Sequence, residues 1–203
     1  MNRAEQKQRT RLRIIDVAVR QLGEQGLSGA AVQRVMNEVG LTHGSFYAHF
    51  DSKADLVAEA LKSALRTASD RMFGRVARLT TPERRKRLLD TYLSLAHRDA
   101  PGAGCPLAST SADVARSSAN VRRAYEGELR NIIEHIEADF DGPADDAAHA
   151  HAVGTLALCV GGLLLARAVK DPALSDDILQ SCRQFGAEPE EAQADIHHGV
   201  DRE

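Results

Sequence analysis

The sequence contains no tryptophan, and only 4% of its 203 residues are aromatic. Alanine, leucine, arginine, glutamate and aspartate are abundant instead, which favours helix over sheet. No long run of residues alternates between apolar and polar, the pattern that a half-buried strand requires. The composition therefore predicts an all-α protein.

Cysteine is also scarce, with three residues at positions 105, 159 and 182. An odd number at such wide spacing excludes a disulfide framework, and no spacing of cysteine or histidine matches a zinc-ligand pattern. We expect no bound metal and no cofactor. Cys159 lies in an apolar helical stretch and is predicted to be core packing, and Cys182 is predicted to be packing or interface.

Long hydrophobic runs are missing too. The N-terminal residues 1–10 are polar and charged, unlike a signal peptide. The most apolar stretch, 152–166, has 15 residues, whereas a membrane-spanning helix needs about 20. We expect a soluble cytoplasmic protein with no membrane partner.

Charge is distributed unevenly along the chain. The formal net charge is −3, but residues 1–75 hold 12 Lys/Arg against 8 Asp/Glu, or +4, which leaves −7 for the remainder. Near the N-terminus, five basic residues are opposed only by Glu5: Arg3, Lys7, Arg9, Arg11 and Arg13. Such a cluster can neutralise nucleic-acid phosphates, although a solvated helix start explains it equally well.

Apolar residues at three- and four-residue spacing predict a series of helices. Thr42 is expected to cap the third helix, Asp51 or Ser52 the fourth, and Thr81 the fifth, with Pro82 in its first turn. A further helical segment is expected to open at Cys105-Pro106. The other predicted helices span residues 6–25, 30–39, 42–49, 53–78, 81–97, 119–140, 144–169 and 175–185.

The stretch 39–50 combines a tight turn with a helix that has one buried and one exposed face. Gly40 is expected to adopt the left-handed conformation of the turn. Leu41, Phe46 and Phe50 fall on the inward face, and small polar residues are left to face outward: Thr42, His43, Ser45, Tyr47 and His49.

An outward face of this kind suits a helix that lies in the major groove of DNA. Thr42, His43 and Gly44 are expected nearest the bases, while Tyr47 and Lys53 are expected to bind phosphates. A helical hairpin that binds nothing is the alternative interpretation of the same pattern.

The run from Gly40 to Leu56, GLTHGSFYAHFDSKADL, resembles the signature of the TetR family of bacterial regulators. The resemblance covers about the first 60 residues. It implies an N-terminal three-helix helix-turn-helix DNA-binding domain (1–52) that a long helix joins to a helical ligand-binding and dimerisation domain (53–185). Residues 186–203 are predicted to be a disordered tail. A member of this family would not be an enzyme.

One feature departs from the family pattern. Family members usually place Thr-Thr or Thr-Ser at the start of the second helix, where this chain has Ala30-Ala31. We therefore expect Ser28 to cap that helix instead. Gln33 or Arg34 is expected to supply the missing contact to the DNA backbone.

The helix predicted at 144–169 carries more apolar surface than one neighbouring helix can cover, and Gly154, Gly161 and Gly162 would admit a close partner. The resemblance implies that the last two long helices pair with their copies in a four-helix homodimer interface. Burial inside the monomer is the alternative. The predicted interface residues are Leu156, Val160, Gly161, Leu164 and Leu179.

A ligand pocket is expected among the helices from 82 to 170. Cys105 is of interest because a thiol at a helix start is favoured as thiolate and can react with oxidants or electrophiles, although a lone cysteine also serves as packing. The candidate pocket residues are Phe73, Tyr92, His97, Cys105, Tyr125 and His151.

Taken together, these features predict a repressor that binds a palindromic operator in double-stranded DNA as a homodimer and is released by a small-molecule or thiol-reactive effector. Two other classes remain open. A helical thiol enzyme would use Cys105, although no base can be placed beside it and no Cys-x-x-Cys is present. A non-specific architectural DNA binder would show no sequence preference.

Overall fold

The computed structural model describes residues 2–74, 79–138 and 145–187. Within these ranges the chain forms α-helices joined by turns and short 3₁₀ helices, so the all-α prediction is confirmed. The α-helices are α1 (Arg3–Gln25), α2 (Val32–Val39), α3 (Lys53–Phe73), α4 (Thr81–Tyr92), α5 (Leu95–Asp99), α6 (Pro106–Ala115), α7 (Ala119–Glu137), α8 (Asp146–Ala168) and α9 (Pro172–Ala187). The predicted tail, 186–203, lies almost entirely outside the described residues.

The chain divides into two compact units, of which the first combines Met1–Arg78 with Asp99–Ile136. It contains α1 to α3 together with α6 and nearly all of α7, and thus extends well beyond the predicted DNA-binding domain at 1–52. Its core is apolar and includes Ile14, Ala18, Leu22, Val35, Met36, Phe46, Leu56, Leu61 and Leu65, each at most 1% exposed.

The first unit starts its helices with side-chain caps at two places. Asn2 Oδ1 accepts a hydrogen bond from the backbone N–H of Glu5 at 2.9 Å, and Glu5 Oε2 accepts one from the backbone N–H of Asn2 at the same distance. At α3, Ser52 Oγ accepts from the N–H of Asp55 at 3.2 Å, as one of the two predicted caps. These acceptors satisfy N–H groups that have no partner inside the helix.

The second unit combines Leu79–Arg98 with Glu137–Glu203 and contains α4, α8, α9 and most of α5. Its α4 is capped by Thr80 and not by Thr81, because Glu83, three residues after Thr80, bonds back to both the N–H and the hydroxyl of Thr80 at 2.8 Å. These two hydrogen bonds lower the pKa of the Glu83 carboxyl. The helix ends at Tyr92, five residues before the predicted end.

Helices α8 and α9 pack antiparallel in the second unit. Close to the start of α9, Ser175 Oγ donates to the carbonyl of Ala166 at 2.7 Å. Further along, a Cβ built on Gly162 would lie 2.8 Å from Cys182 Sγ, so only glycine admits this approach. Gly162 therefore admits a helix of the same chain, which agrees with the alternative that α8 is buried inside the monomer.

By length and composition, α8 is the one helix among the described residues that could cross a membrane, and 33% of that stretch is buried inside the chain. The sequence predicted that this apolar stretch of 15 residues is too short to span a membrane. That prediction left out the alanines that extend α8 on its N-terminal side. Length and composition are weak evidence for a membrane span, because core helices of soluble proteins share them.

Candidate nucleic-acid interface

The turn between α2 and the following segment has the predicted geometry. Gly40 adopts φ 77° and ψ 30°, the left-handed conformation, and its N–H bonds to the carbonyl of Asn37 at 3.0 Å. The next N–H, that of Leu41, bonds to the carbonyl of Met36 at 2.9 Å. The chain therefore leaves α2 in a fixed direction.

Residues 42–49, here called the 42–49 segment, form a 3₁₀ helix at His43–Ala48 where an α-helix was predicted. Bonds between residues three apart, such as Ser45 N–H to the Thr42 carbonyl at 3.1 Å, predominate in so short a segment. The expected cap is absent, because the Thr42 side chain accepts no capping hydrogen bond. The Thr42 side chain is exposed instead.

The exposed and buried faces of the 42–49 segment largely match the prediction. Phe46 and Phe50 are 1% and 3% exposed and stack with their ring centroids 5.5 Å apart. Tyr47, between them, is 64% exposed. His43 is exposed on the same side, with its ring edge-on to Tyr47 at 6.2 Å. The buried pair thus holds two polar aromatic side chains outward.

Two members of the predicted outward face are only half-exposed. Ser45 donates its hydroxyl to the carbonyl of Thr42 at 2.7 Å, so that this proton is engaged inside the segment. His49 turns toward a small polar groove that Arg11 and Glu59 also line, and its Nδ1 is buried without a protein hydrogen-bond partner. The prediction that His49 faces fully outward is therefore wrong.

The electrostatic surroundings of His49 follow from this position. Burial lowers the pKa of its imidazole, and the nearby charges of Lys7 and Arg11 lower it further. Both effects favour the neutral form of the His49 imidazole.

The unit that contains the 42–49 segment also exposes several basic residues. Arg3, Lys7 and Arg9 are exposed on α1, and Lys53 is exposed at the first position of α3. The other two basic residues of the predicted cluster have structural contacts. Arg13 Nη2 donates to the carbonyl of Val39 at 3.3 Å, and Arg11 pairs with Glu59 at 3.5 Å while its guanidinium lies 4.8 Å over the Phe50 ring.

The start of α2 lacks a side-chain cap. Its N-cap residue is Ala31, and the Ser28 hydroxyl donates to the carbonyl of Gln25 at 2.8 Å, so the prediction that Ser28 caps α2 is wrong. Gln33 and Arg34 are exposed, as a DNA-backbone contact would require. Gln33 bonds to the Asn37 side chain, and Arg34 bonds to that of Gln25.

Comparison with known proteins adds an independent line of evidence. Residues 14–60 match the family described as bacterial regulatory proteins, tetR family. Residues 14–60 are thus similar to the N-terminal domain of the TetR family, and this match spans less than a quarter of the chain. This is the family predicted from the run between Gly40 and Leu56, and it is a family of regulators and not of enzymes.

Individual relatives are similar to part of the chain. The chain is 38% identical over 55 residues to the HTH-type transcriptional regulator AcrR of Shigella flexneri, which is 27% of this chain and 26% of that protein. It is also 35% identical over 65 residues to the HTH-type transcriptional repressor KstR2 of Rhodococcus jostii (strain RHA1). This alignment covers 32% of this chain and 30% of that protein. The similarity thus spans less than a third of either relative.

The fold similarity extends much further than the sequence similarity. The crystal structure of the TetR-family transcriptional regulator from Cytophaga hutchinsonii superposes with a TM-score of 0.74 at 23% identity, over 90% of this chain and 95% of that one. The TetR fold, an N-terminal helix-turn-helix domain followed by a helical C-terminal domain, is therefore shared along most of the chain.

The sequence did not indicate which later parts of the chain contact the N-terminal helices. Asp113 of α6 accepts a hydrogen bond from the backbone N–H of Leu27 at 3.1 Å, 86 residues away in the sequence. Nearby, a Cβ on Gly23 of α1 would lie 2.9 Å from the carbonyl oxygen of Gly102. Because these contacts are long-range and involve backbone, no local pattern revealed them.

The six candidate pocket residues fall into both units. Tyr92 and His97 of the second unit meet edge-on at 4.8 Å, and His97 Nδ1 lies 2.7 Å from the Tyr92 carbonyl oxygen. Burial lowers the pKa of His97, which the hydrogen bond to Tyr92 opposes. His151 lines a cleft of the same unit. Phe73 of the first unit stacks on His135 at 5.2 Å.

Cys105 and Tyr125 are close neighbours in the first unit. Cys105 occupies the N-cap position of α6, where a helix start was predicted, but it is only 5% exposed. Tyr125 is half-buried, and burial raises the pKa of its hydroxyl while the hydrogen bond with Ser111, 2.7 Å long, lowers it. The charge of Cys105 raises the Tyr125 pKa as well.

The predicted interface residues differ in burial. Leu179 is fully buried and Leu156 is 7% exposed, so both pack inside the second unit and have no surface to offer a partner. Val160 and Gly161 are half-exposed, and Leu164 is 49% exposed. Cys159 is buried in α8 as predicted, while Cys182 is half-buried against Gly162, and burial raises the pKa of its thiol.

Proposed function

We propose that this protein is a transcriptional repressor that binds a palindromic operator as a homodimer through residues 42–49 and is released by a small-molecule or thiol-reactive effector. The observation that supports it most is the 42–49 segment: Phe46 and Phe50 are buried, whereas Thr42, His43, Gly44 and Tyr47 are exposed in a unit that also exposes basic residues. A repressor is favoured because KstR2 is named as one.

The exposed side chains have the chemistry for base and phosphate contacts. His43 and Thr42 offer donors and acceptors to base edges, and a Cβ on Gly44 would meet nothing within 4 Å, so that DNA can approach the backbone there. Tyr47, Lys53, Gln33 and Arg34 are assigned to phosphates. The half-buried Ser45 and His49 are assigned to the edge of the contact.

The homodimer is supported by an apolar stripe on the outer faces of α8 and α9. The stripe follows one face of each helix, and its members are exposed or half-exposed. They are Val153, Ala157, Val160, Gly161, Leu164 and Ala168 on α8, and Leu174, Ile178 and Phe185 on α9, with the polar Ser181 between Ile178 and Phe185. Two such stripes related by a two-fold axis would form a four-helix interface. A cytoplasmic location follows from DNA binding.

The functional division into a DNA-binding domain at 1–52 and a ligand-binding and dimerisation domain at 53–185 is part of this proposal.

Measuring operator binding tests the central claim, that the protein recognises a specific DNA sequence. At moderate salt, the purified protein is expected to prefer a palindrome upstream of its own or a neighbouring gene over random DNA of equal length. Equal affinity for both would support an architectural DNA binder instead.

The two exposed aromatic residues should contribute differently to operator affinity. We expect His43→Ala to cost about 1–3 kcal/mol of operator binding and to leave random DNA unaffected, because it removes a base-edge contact. Tyr47→Phe should weaken operator and random DNA alike, by about 1 kcal/mol, because it removes a phosphate contact. Fluorescence anisotropy with both DNAs measures the difference.

A histidine of the second unit serves as the matched control. His149 is exposed and bonds to Glu137, far in sequence from the 42–49 segment. His149→Ala should bind operator and random DNA as the unmodified protein does. Wild-type operator affinity in both His43→Ala and Tyr47→Phe, with dimer and helix content unchanged, would place the recognition face elsewhere.

The thiol-reactive form of the effector rests on Cys105. Cys105→Ser should leave basal operator binding intact and abolish release of DNA by an oxidant such as hydrogen peroxide, since serine cannot form a sulfenic acid. Cys182→Ser is the control, because that thiol lies outside the first unit. Release of Cys105→Ser at the wild-type peroxide concentration would leave only the small-molecule effector.

A further inference from the structure

The second unit contains a cleft between α4, α8 and α9 with a volume of about 250 Å³. Arg85 of α4 and His151 of α8 line it, together with Leu158 of α8 and Phe185 of α9. Such a volume is just below the roughly 300–1,000 Å³ of drug-sized ligand sites. The occupant would therefore be small.

Two glycines give the cleft its shape. At Gly186 the three helices converge, because a Cβ there would lie 2.8 Å from Leu89 Cδ2 and 3.0 Å from Leu158 Cδ2. Gly154, which also lines the cleft, is the opposite case, since a Cβ there meets nothing within 4 Å. Gly186 thus allows the three helices to pack closely at one side of the cleft, and Gly154 leaves the cleft open at its own position.

The residues that line the cleft combine two nitrogen-bearing side chains with an apolar surface. Arg85 and His151 are half-buried and line the cleft from two different helices. A guanidinium matches a carboxylate in a two-bond fork, and an imidazole N–H adds a third donor. Leu158 and the ring of Phe185 supply the apolar part, and no acidic residue is among the residues that line the cleft.

We propose that this cleft binds a small organic carboxylate, with the carboxylate on Arg85 and His151 and the apolar body on Leu158 and Phe185. That the carboxylate acts as an effector rests on the proposed function, whereas its binding does not. Phe185 also belongs to the apolar stripe of α9, so a bound acid lies beside the proposed dimer contact. A ligand there is placed to alter how two copies pack.

The test uses benzoate, phenylacetate and hexanoate, each paired with its neutral amide, on the full-length protein without DNA. Isothermal titration calorimetry should show at least one acid binding at least 10-fold more tightly than its amide. Arg85→Gln should lower the affinity for that acid at least 10-fold, and Gly154→Leu should abolish its binding by filling the cleft. Arg87→Gln, an exposed arginine of the same helix outside the cleft, should bind as the wild type does.

Several results would overturn the proposal. No binding of any acid at millimolar concentration would do so, as would equal affinity for acid and amide or unchanged binding in Arg85→Gln. If the acids do not bind and Gly154→Leu instead shifts the dimer dissociation constant, a side chain of the second copy occupies the cleft. Because calorimetry needs no operator, a protein that binds the acid but no palindrome would refute the proposed function and leave this site standing.

Discussion

Leu164→Glu is expected to convert the protein into a monomer and to reduce its affinity for a palindromic operator by about 100-fold or more. Leu164 is 49% exposed near the C-terminal end of α8, within the apolar stripe assigned to the dimer. A carboxylate there would lose its hydration on association and face its own copy across the two-fold axis. Each monomer would then hold one half-site without the gain from binding two at once.

Sedimentation velocity at micromolar concentration and anisotropy with the operator measure the two effects. Leu95→Glu is the matched control, because Leu95 is also 49% exposed but lies on α5, outside the stripe. It should remain dimeric and bind the operator as the wild type does. A Leu164→Glu protein that sediments as a dimer would place the association surface away from α8.

Phe46→Ala is expected to lower the free energy of unfolding by about 3–5 kcal/mol. The Phe46 ring is 1% exposed, stacks on Phe50 and meets the ring of Tyr47 edge-on at 5.3 Å. Its removal leaves a cavity beside Phe50 in the core of the first unit. Operator affinity should fall as well, because the exposed face loses its support.

Urea denaturation at a fixed protein concentration measures this loss, since the stability of a dimer depends on concentration. Tyr47→Ala provides the comparison within the same segment. Tyr47 is 64% exposed, so its removal should change the unfolding free energy by no more than about 0.5 kcal/mol. If both variants unfold at the same urea concentration, the two residues do not have the burial on which the interface depends.

The sequence predicted the DNA-binding region most completely. Gly40, Phe46, Phe50 and Tyr47 take the predicted conformation and exposure, because turn chemistry and helical spacing are local properties. Helix caps were less predictable. Thr80 caps α4 in place of Thr81, and both residues are threonines that only the bond from Glu83 distinguishes.

The exposure of individual residues in the second unit could not be predicted from helical spacing alone. Leu156, Leu164 and Leu179 are all apolar, yet Leu164 is half-exposed and the other two are buried. Which face of α8 meets α9 is decided by the antiparallel packing at Gly162 and Ser175. Gly154 and Gly162 look alike in sequence, but one borders open space and the other touches Cys182.

The sequence by itself determined the all-α class, the similarity of residues 14–60 to the TetR family and the exposed face formed by Thr42, His43 and Tyr47, since these follow from composition, spacing and a motif of neighbouring residues. The tertiary structure alone decided the contact of Asp113 with Leu27, the inward turn of His49 and the cleft between α4, α8 and α9. Each of these brings together groups from separate helices. The packing of those helices is set by the sum of many apolar contacts and not by any local signal.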